Sequence, residues 1–266
     1  MNQISAIPSR IVCLSTESVE TLYLLGEQDR IVGITGFAVR PPEARREKPK
    51  VSGFSTAKIE RILDVKPDLI LGFSNLQADM MRDLARAGIE VHIFNQRSIA
   101  GIFNMIATLG RLVGATGKAE MLCASLMDRL NEIRARSASL ARRPRIYFEE
   151  WHDPLICGIT WVSELIAIAG GIDVYADIAT RSLARDRTIH DPLDVAARAP
   201  DLIIGSWCGK KFQPELVVAR PGWENVPAVK NGHLYEIQSA LILQPGPAAL
   251  TDGLDELIGI IGRWSN

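Results

Sequence analysis

Short apolar runs alternate with stretches in which apolar residues recur every three or four positions. The runs read as strands over Arg10–Leu14, Ile31–Ile34, Leu69–Gly72 and Glu90–Phe94. The longer-period stretches read as helices over Ser18–Leu25, Lys58–Leu63, Leu76–Ala87 and Ile99–Val113. Strands that alternate with helices across short loops imply a parallel sheet covered on both faces.

The pattern then recurs. "VKPDLILGFS" (Val65–Ser74) and "RAPDLIIGSW" (Arg198–Trp207) place Pro67 and Pro200 133 positions apart. Each is a helix end, a Pro-Asp pair and a buried strand closing on Gly. "SRIVCLS" and "PRIYFEE" place Arg10 and Arg145 135 apart. Two matched pairs at nearly one offset indicate two similar α/β lobes. The second is expected to follow the order of the first from Arg145 onward, with Gly170-Gly171 stopping a helix after "SELIAIA".

Between the repeats, Lys118–Arg143 contains no Gly or Pro, and Leu122, Leu126, Leu130 and Ile133 form one apolar stripe. About 25 helical residues span roughly 38 Å, enough for a spine between lobes. The expected organisation is therefore a first lobe at 1–114, a linking spine helix at 115–142 and a second lobe at 143–266. Both lobes are expected to be Rossmann-like with parallel sheets, and a ligand cleft is expected between them.

Composition narrows the function. With 266 residues and 47% hydrophobic content the chain can bury a sizeable core, and a net charge of -1 leaves no footprint for nucleic acid. No apolar run reaches the roughly 18 residues of a membrane span. "MNQISAIPSRIVCLS" lacks the pattern of a signal peptide, which points to a cytoplasmic protein if this is the native N-terminus. Cys13, Cys123, Cys157 and Cys208 are scattered, with no CxxC, and read as buried free thiols.

Ligands of open parallel sheets meet the loops at the carboxyl ends of strands. In the first half these loops carry Ser15–Ser18, Phe37 and Arg40, Phe73, and Asn95–Arg97, with Phe54 before a helix. In the second they carry Trp151 and His152 in "EEWHDP" and Trp207 and Lys210 in "SWCGKK". Phe73 and Trp207 read as matched positions of the two repeats. Aromatics at such loops make a broad apolar wall with a few polar points.

No GxSxG, P-loop, HExxH or GxGxxG occurs. Glu149 and Glu150 are adjacent on a strand, point to opposite faces, and cannot act as a catalytic carboxylate pair. A metal trap is a second reading, with His152, Asp153, His190, Asp191 and Cys208 available in lobe 2 and only His92, inside a strand, in lobe 1. No metal site and no intrinsic cofactor is expected.

The whole chain resembles the helical-backbone (class III) substrate-binding proteins of ABC importers, nearest to cobalamin-binding members. The residues that carry this are "RIVCLSTESVETLYLLGEQDRIVGIT", "VSGFSTAKIERILDVKPDLIL", "WVSELIAIAGG" and "GHLYEI" with "PGPAALTDGLDELI". The resemblance implies a non-catalytic, monomeric, periplasmic protein that holds a corrinoid against aromatic side chains for import. Alternatives are haem, an iron–siderophore or a metal ion on the same fold, or a cytoplasmic corrinoid-handling relative. Phe37, Phe54 and Phe73 fall where lobe 1 supplies aromatics, and Trp151 lies on the ligand-facing loop of lobe 2. Arg97, His152, Asn95 and Gln244 are the candidates for fixing ligand orientation. Glu60 matches the lobe-1 acid by which the family docks on its permease. The matching lobe-2 position holds Leu193, flanked by Asp191 and Asp194, a departure from the family pattern.

Overall fold

The computed structural model describes residues 7–53 and 59–265. They form two compact units, one of residues up to Gln96 with Ala100–Ser125, the other of Arg97–Ile99 with Leu126 onward.

The first unit contains β1 (Ile11–Cys13), α1 (Thr16–Leu24), β2 (Ile31–Thr35), α2 (Pro42–Glu47), β3 (Lys50–Ser52), α3 (Ile59–Asp64), β4 (Leu69–Phe73), α4 (Ala78–Arg86) and β5 (Glu90–Phe94). Helices α5 (Ile99–Leu112) and α6 (Thr116–Ser137) follow. The sheet order is β3-β2-β1-β4-β5, parallel throughout. Five strands stand where the hydrophobic pattern shows four. The added β3 has only three residues at the sheet edge, too few to show a period. Val12, Leu14, Ile62, Ile70, Met81 and Leu84 pack as one buried cluster. Each fully buried aliphatic side chain contributes roughly 2 kcal/mol by leaving water.

The second unit contains β6 (Arg145–His152), β7 (Leu155–Cys157), α7 (Thr160–Ile168), β8 (Ile172–Asp173), α8 (Ala176–Ala179), α9 (Pro192–Ala197), β9 (Leu202–Gly205), α10 (Pro214–Val218), α11 (Pro227–Lys230), β10 (Leu234–Glu236) and α12 (Ser239–Ile242). One π-helical turn, Ala249–Gly253, leads into α13 (Leu254–Ser265). The order is β10-β9-β6-β7, with β8 also on β6. The lobes therefore differ: β7 runs antiparallel to β6. Only Asp153 and Pro154 separate these two strands, and so short a connection joins antiparallel neighbours only. The other pairings are parallel.

The repeat has a physical cause. Lys66 (φ 46°) and Ala199 (φ 45°) end α3 and α9 in the left-handed region. The next Pro cannot continue a helix, and the Asp after it ties down the first strand of its unit. Asp68 accepts from the backbone N–H groups of Ser9 (2.8 Å) and Arg10 (2.9 Å), and Asp201 from that of Arg145 (2.8 Å). The guanidinium of Arg10 donates to the carbonyls of Val65 and Lys66, and that of Arg145 to the carbonyl of Arg198.

In α6, Leu126, Leu130 and Ile133 are buried. The helix ends at Ser137, short of Arg143, where the Ser137 hydroxyl donates to the Ile168 carbonyl at 2.7 Å. Gly170 (φ 94°) follows α7 and lets the chain reverse, as the Gly-Gly pair predicts. Among the described residues no helix is long and apolar enough to cross a membrane.

Candidate functional site

In each sheet the strand order reverses at one place, β1/β4 in the first and β6/β9 in the second. The carboxyl ends of strands at such a switch point flank an open crevice where ligands bind.

In the first unit that end is polar. Gln77 is fully buried and stitches the switch point together: its amide donates to Leu14 O (2.9 Å) and accepts from Phe73 N (2.9 Å). Ser74 adopts φ 68°, ψ 164°, a conformation costly for a residue with a Cβ, and accepts from Leu76 N (3.2 Å). Strain of this kind concentrates where backbone is held for a purpose. Glu17, in the first turn of α1, is 3% exposed. It accepts from Thr16 Oγ1 at 3.0 Å and Gln96 Nε2 at 3.5 Å, and among the described residues no cation pairs with it. Burial pushes its carboxyl up to about 7, with nearby Glu20 adding to the effect. Glu20 itself pairs with Arg40 at 3.1 Å.

Phe37 is exposed and Phe73 half-buried at the end of β4. Phe54 lies outside the described residues. Counted from the two prolines, the counterpart of Phe73 is Ser206, and that of Trp207 is Ser74. Asn95 and His92 line a cavity of about 330 Å³ beside α5. His92 contacts Phe94 edge-on at 4.4 Å, and burial lowers its pKa.

In the second unit the "EEWHDP" stretch divides by alternation along β6. Glu149 points inward and is fully buried. Arg220 grips it with two bonds (Nη1–Oε2 2.6 Å, Nη2–Oε1 2.9 Å), and Trp207 Nε1 donates to Oε1 at 3.0 Å. Glu150 turns to the buried Arg187, with bonds of 2.7 and 3.2 Å. Arg187 also donates to the Cys157 carbonyl. Both carboxylates are thus spent on structure.

Trp207 stands inside the core, 2% exposed, rather than open at the strand end. Phe212 meets its edge at 5.2 Å and lies so close to Gly205 that a Cβ there would come within 1.9 Å of the ring. His152 stacks on Trp207 (4.2 Å, 25°) and contacts Trp151 at 5.1 Å. Trp151 is half-buried, donates Nε1 to Asp153 O (2.8 Å) and carries Lys210 Nζ 4.8 Å from its ring centre. The result is an aromatic tier of Trp207, His152 and Trp151, with Trp207 buried and the other two half-buried. Trp161 and Trp223 are core residues whose indoles donate to the carbonyls of Ile242 and Pro192.

Arg97 is half-buried and groups with the second unit rather than with the strand it follows. Gln244 is half-buried after α12. Glu60 is exposed in the first turn of α3. Leu193 is exposed; Asp191 caps α9 through Leu193 N (2.9 Å), while Asp194 is held by Arg198 and Tyr175. Cys208 is exposed, unlike the buried Cys13 and Cys157. Among the described residues no three His, Cys, Asp or Glu side chains converge as metal ligands. The parts that sequence reasoning missed are Arg220, Arg187 and Glu17. Arg220 and Arg187 sit in loops far along the chain from their partners, and only "STES" after the first strand hinted at Glu17.

Each unit thus has an α/β switch point, and in the second unit an aromatic tier stands at the carboxyl ends of β6 and β9. Residues 11–241 match the periplasmic binding protein family, and the chain belongs to it. It is 27% identical over 259 residues to an uncharacterized ABC transporter substrate-binding lipoprotein, YvrC, of Bacillus subtilis, covering 94% of this chain and 79% of that one. It is 27% identical over 247 residues to a cobalamin-binding protein of Halobacterium salinarum, covering 90% of this chain and 66% of that one. The periplasmic haem-binding protein RhuT of Roseiflexus sp. RS-1 shares the fold: TM-score 0.78, 23% identity, 95% of this chain and 99% of that one.

Proposed function

We propose that this chain captures a corrinoid and hands it, chemically unchanged, to an ABC permease on the outward side of the membrane. The Trp151–His152–Trp207 tier at the carboxyl ends of β6 and β9 is the observation that carries the reading. The half-buried Trp151 and His152, backed by the buried Trp207, offer aromatic surface to a macrocycle but no nucleophile with an adjacent base. The name of the halobacterial relative supports the corrinoid, and that of the Bacillus relative supports the importer role. In this reading lobes at 1–114 and 143–266 are joined by 115–142. Phe37, Phe54 and Phe73 supply further contacts, Arg97 and Gln244 orient the ligand, and Glu60 docks on the permease.

Titration with cobalamin, followed by tryptophan fluorescence against an absorbance-matched tryptophan control and by calorimetry, tests this. Saturation at one ligand per chain, weakened in Phe73→Ala and Trp151→Ala, is expected. No binding up to about 100 µM, weaker than roughly -5.5 kcal/mol, overturns it and turns the search to haem, siderophores and bare metals.

A further inference from the structure

A cavity of about 350 Å³ opens in the second unit beside the β6–β7 turn. His152, Asp153, Thr188, His190 and Arg220 line it, between prolines and aliphatic side chains. Its polar wall is of mixed character. Arg220 brings a positive charge that Glu149 already answers. A neutral imidazole offers one N–H and one bare nitrogen, and His190 in this wall is exposed. A carboxylate such as that of Asp153 only accepts.

A ligand carboxylate in this cavity would stand beside Asp153, and Arg220, the one arginine of the described wall, is already paired with Glu149. A primary carboxamide avoids that conflict. Its oxygen accepts from an imidazole N–H while its two N–H groups donate to a carboxylate. Leaving any of these groups unpaired once the ligand covers them carries a desolvation cost, which makes the choice selective.

We propose that this cavity is a subsite for a carboxamide side arm of the ligand, with Asp153 receiving the amide N–H groups and His190 facing the amide oxygen. This rests on the corrinoid reading and sharpens it, because corrinoids carry carboxamide arms whereas haem carries carboxylates.

Calorimetric titration of the full chain with dicyanocobinamide, and with cobyrinic acid in which those arms are free acids, tests it. Wild type is expected to bind the amide form at least tenfold more tightly. Asp153→Ala, the isosteric Asp153→Asn and His190→Ala, all at exposed positions, are expected to shrink that ratio at least threefold with unchanged unfolding midpoints. Cobinamide binding with the same ratio in all three variants overturns the subsite and leaves the corrinoid reading standing. Failure of both probes to bind wild type overturns both.

Discussion

The guanidinium of Arg220 meets the fully buried carboxylate of Glu149 fork to fork, at 2.6 and 2.9 Å, while the indole of Trp207 donates to the same carboxylate. One ion pair thereby fixes the ring against which His152 stacks. Removing one partner of a buried pair strands the other charge, which costs about 3–5 kcal/mol. Arg220→Ala is therefore expected to destabilise by about that amount in urea unfolding. The double variant Glu149→Gln/Arg220→Met, which removes both charges, is expected to recover at least half of the loss. A stability change below about 1 kcal/mol for Arg220→Ala would contradict a structural role for the pair.

Glu17 makes stability depend on pH. Its folded-state value of about 7 lies above the ordinary 4.5, so the folded chain holds the extra proton within that window. Stability from this group is complete below about pH 4.5 and is lost as pH rises through about 7. The loss amounts to about 3 kcal/mol. Glu17→Gln, which stays neutral, is expected to raise the urea midpoint at pH 8 and leave it nearly unchanged at pH 4.5. Parallel pH profiles for the two proteins would refute the assignment.

Lys66 and Ala199 occupy left-handed backbone conformations that favour glycine. Both are exposed. Lys66→Gly and Ala199→Gly are each expected to stabilise by about 1 kcal/mol, the relief of Cβ strain less the added freedom of the unfolded chain. Sites in separate units are expected to add. Chemical denaturation of the two single variants and the double variant measures this, and destabilisation in either single variant would show that the strain argument fails there.

Phe37 is 59% exposed. Phe37→Ala is expected to change unfolding free energy by less than about 0.5 kcal/mol, as at other surface positions. Its proposed role as a ligand contact predicts roughly tenfold weaker cobalamin binding, about 1.4 kcal/mol. A variant that binds as wild type does would remove Phe37 from the site.

The apolar runs and three-to-four spacing determined where β1, β2, β4 and β5 and most helices of the first unit lie, because burial of one face fixes the period. The Pro-Asp repeat was legible for a similar reason: each copy must stop a helix and anchor a strand, and few residues do both. Alternation along β6 also settled that Glu149 and Glu150 diverge. Tertiary structure alone decided what each one meets. Arg220 lies 71 residues beyond Glu149 and Arg187 lies 37 beyond Glu150, and no local period encodes partners brought together by loops. It alone buried Trp207 as the floor of the aromatic tier, because that depends on Phe212 filling the space over Gly205. It also turned β7 antiparallel: strand pairing is chosen by the length of the Asp153-Pro154 turn and the free edge of β6, not by the composition of "LIC". The class of fold could be read from periodicity, which is local; the site arises from contacts between distant segments, which periodicity does not record.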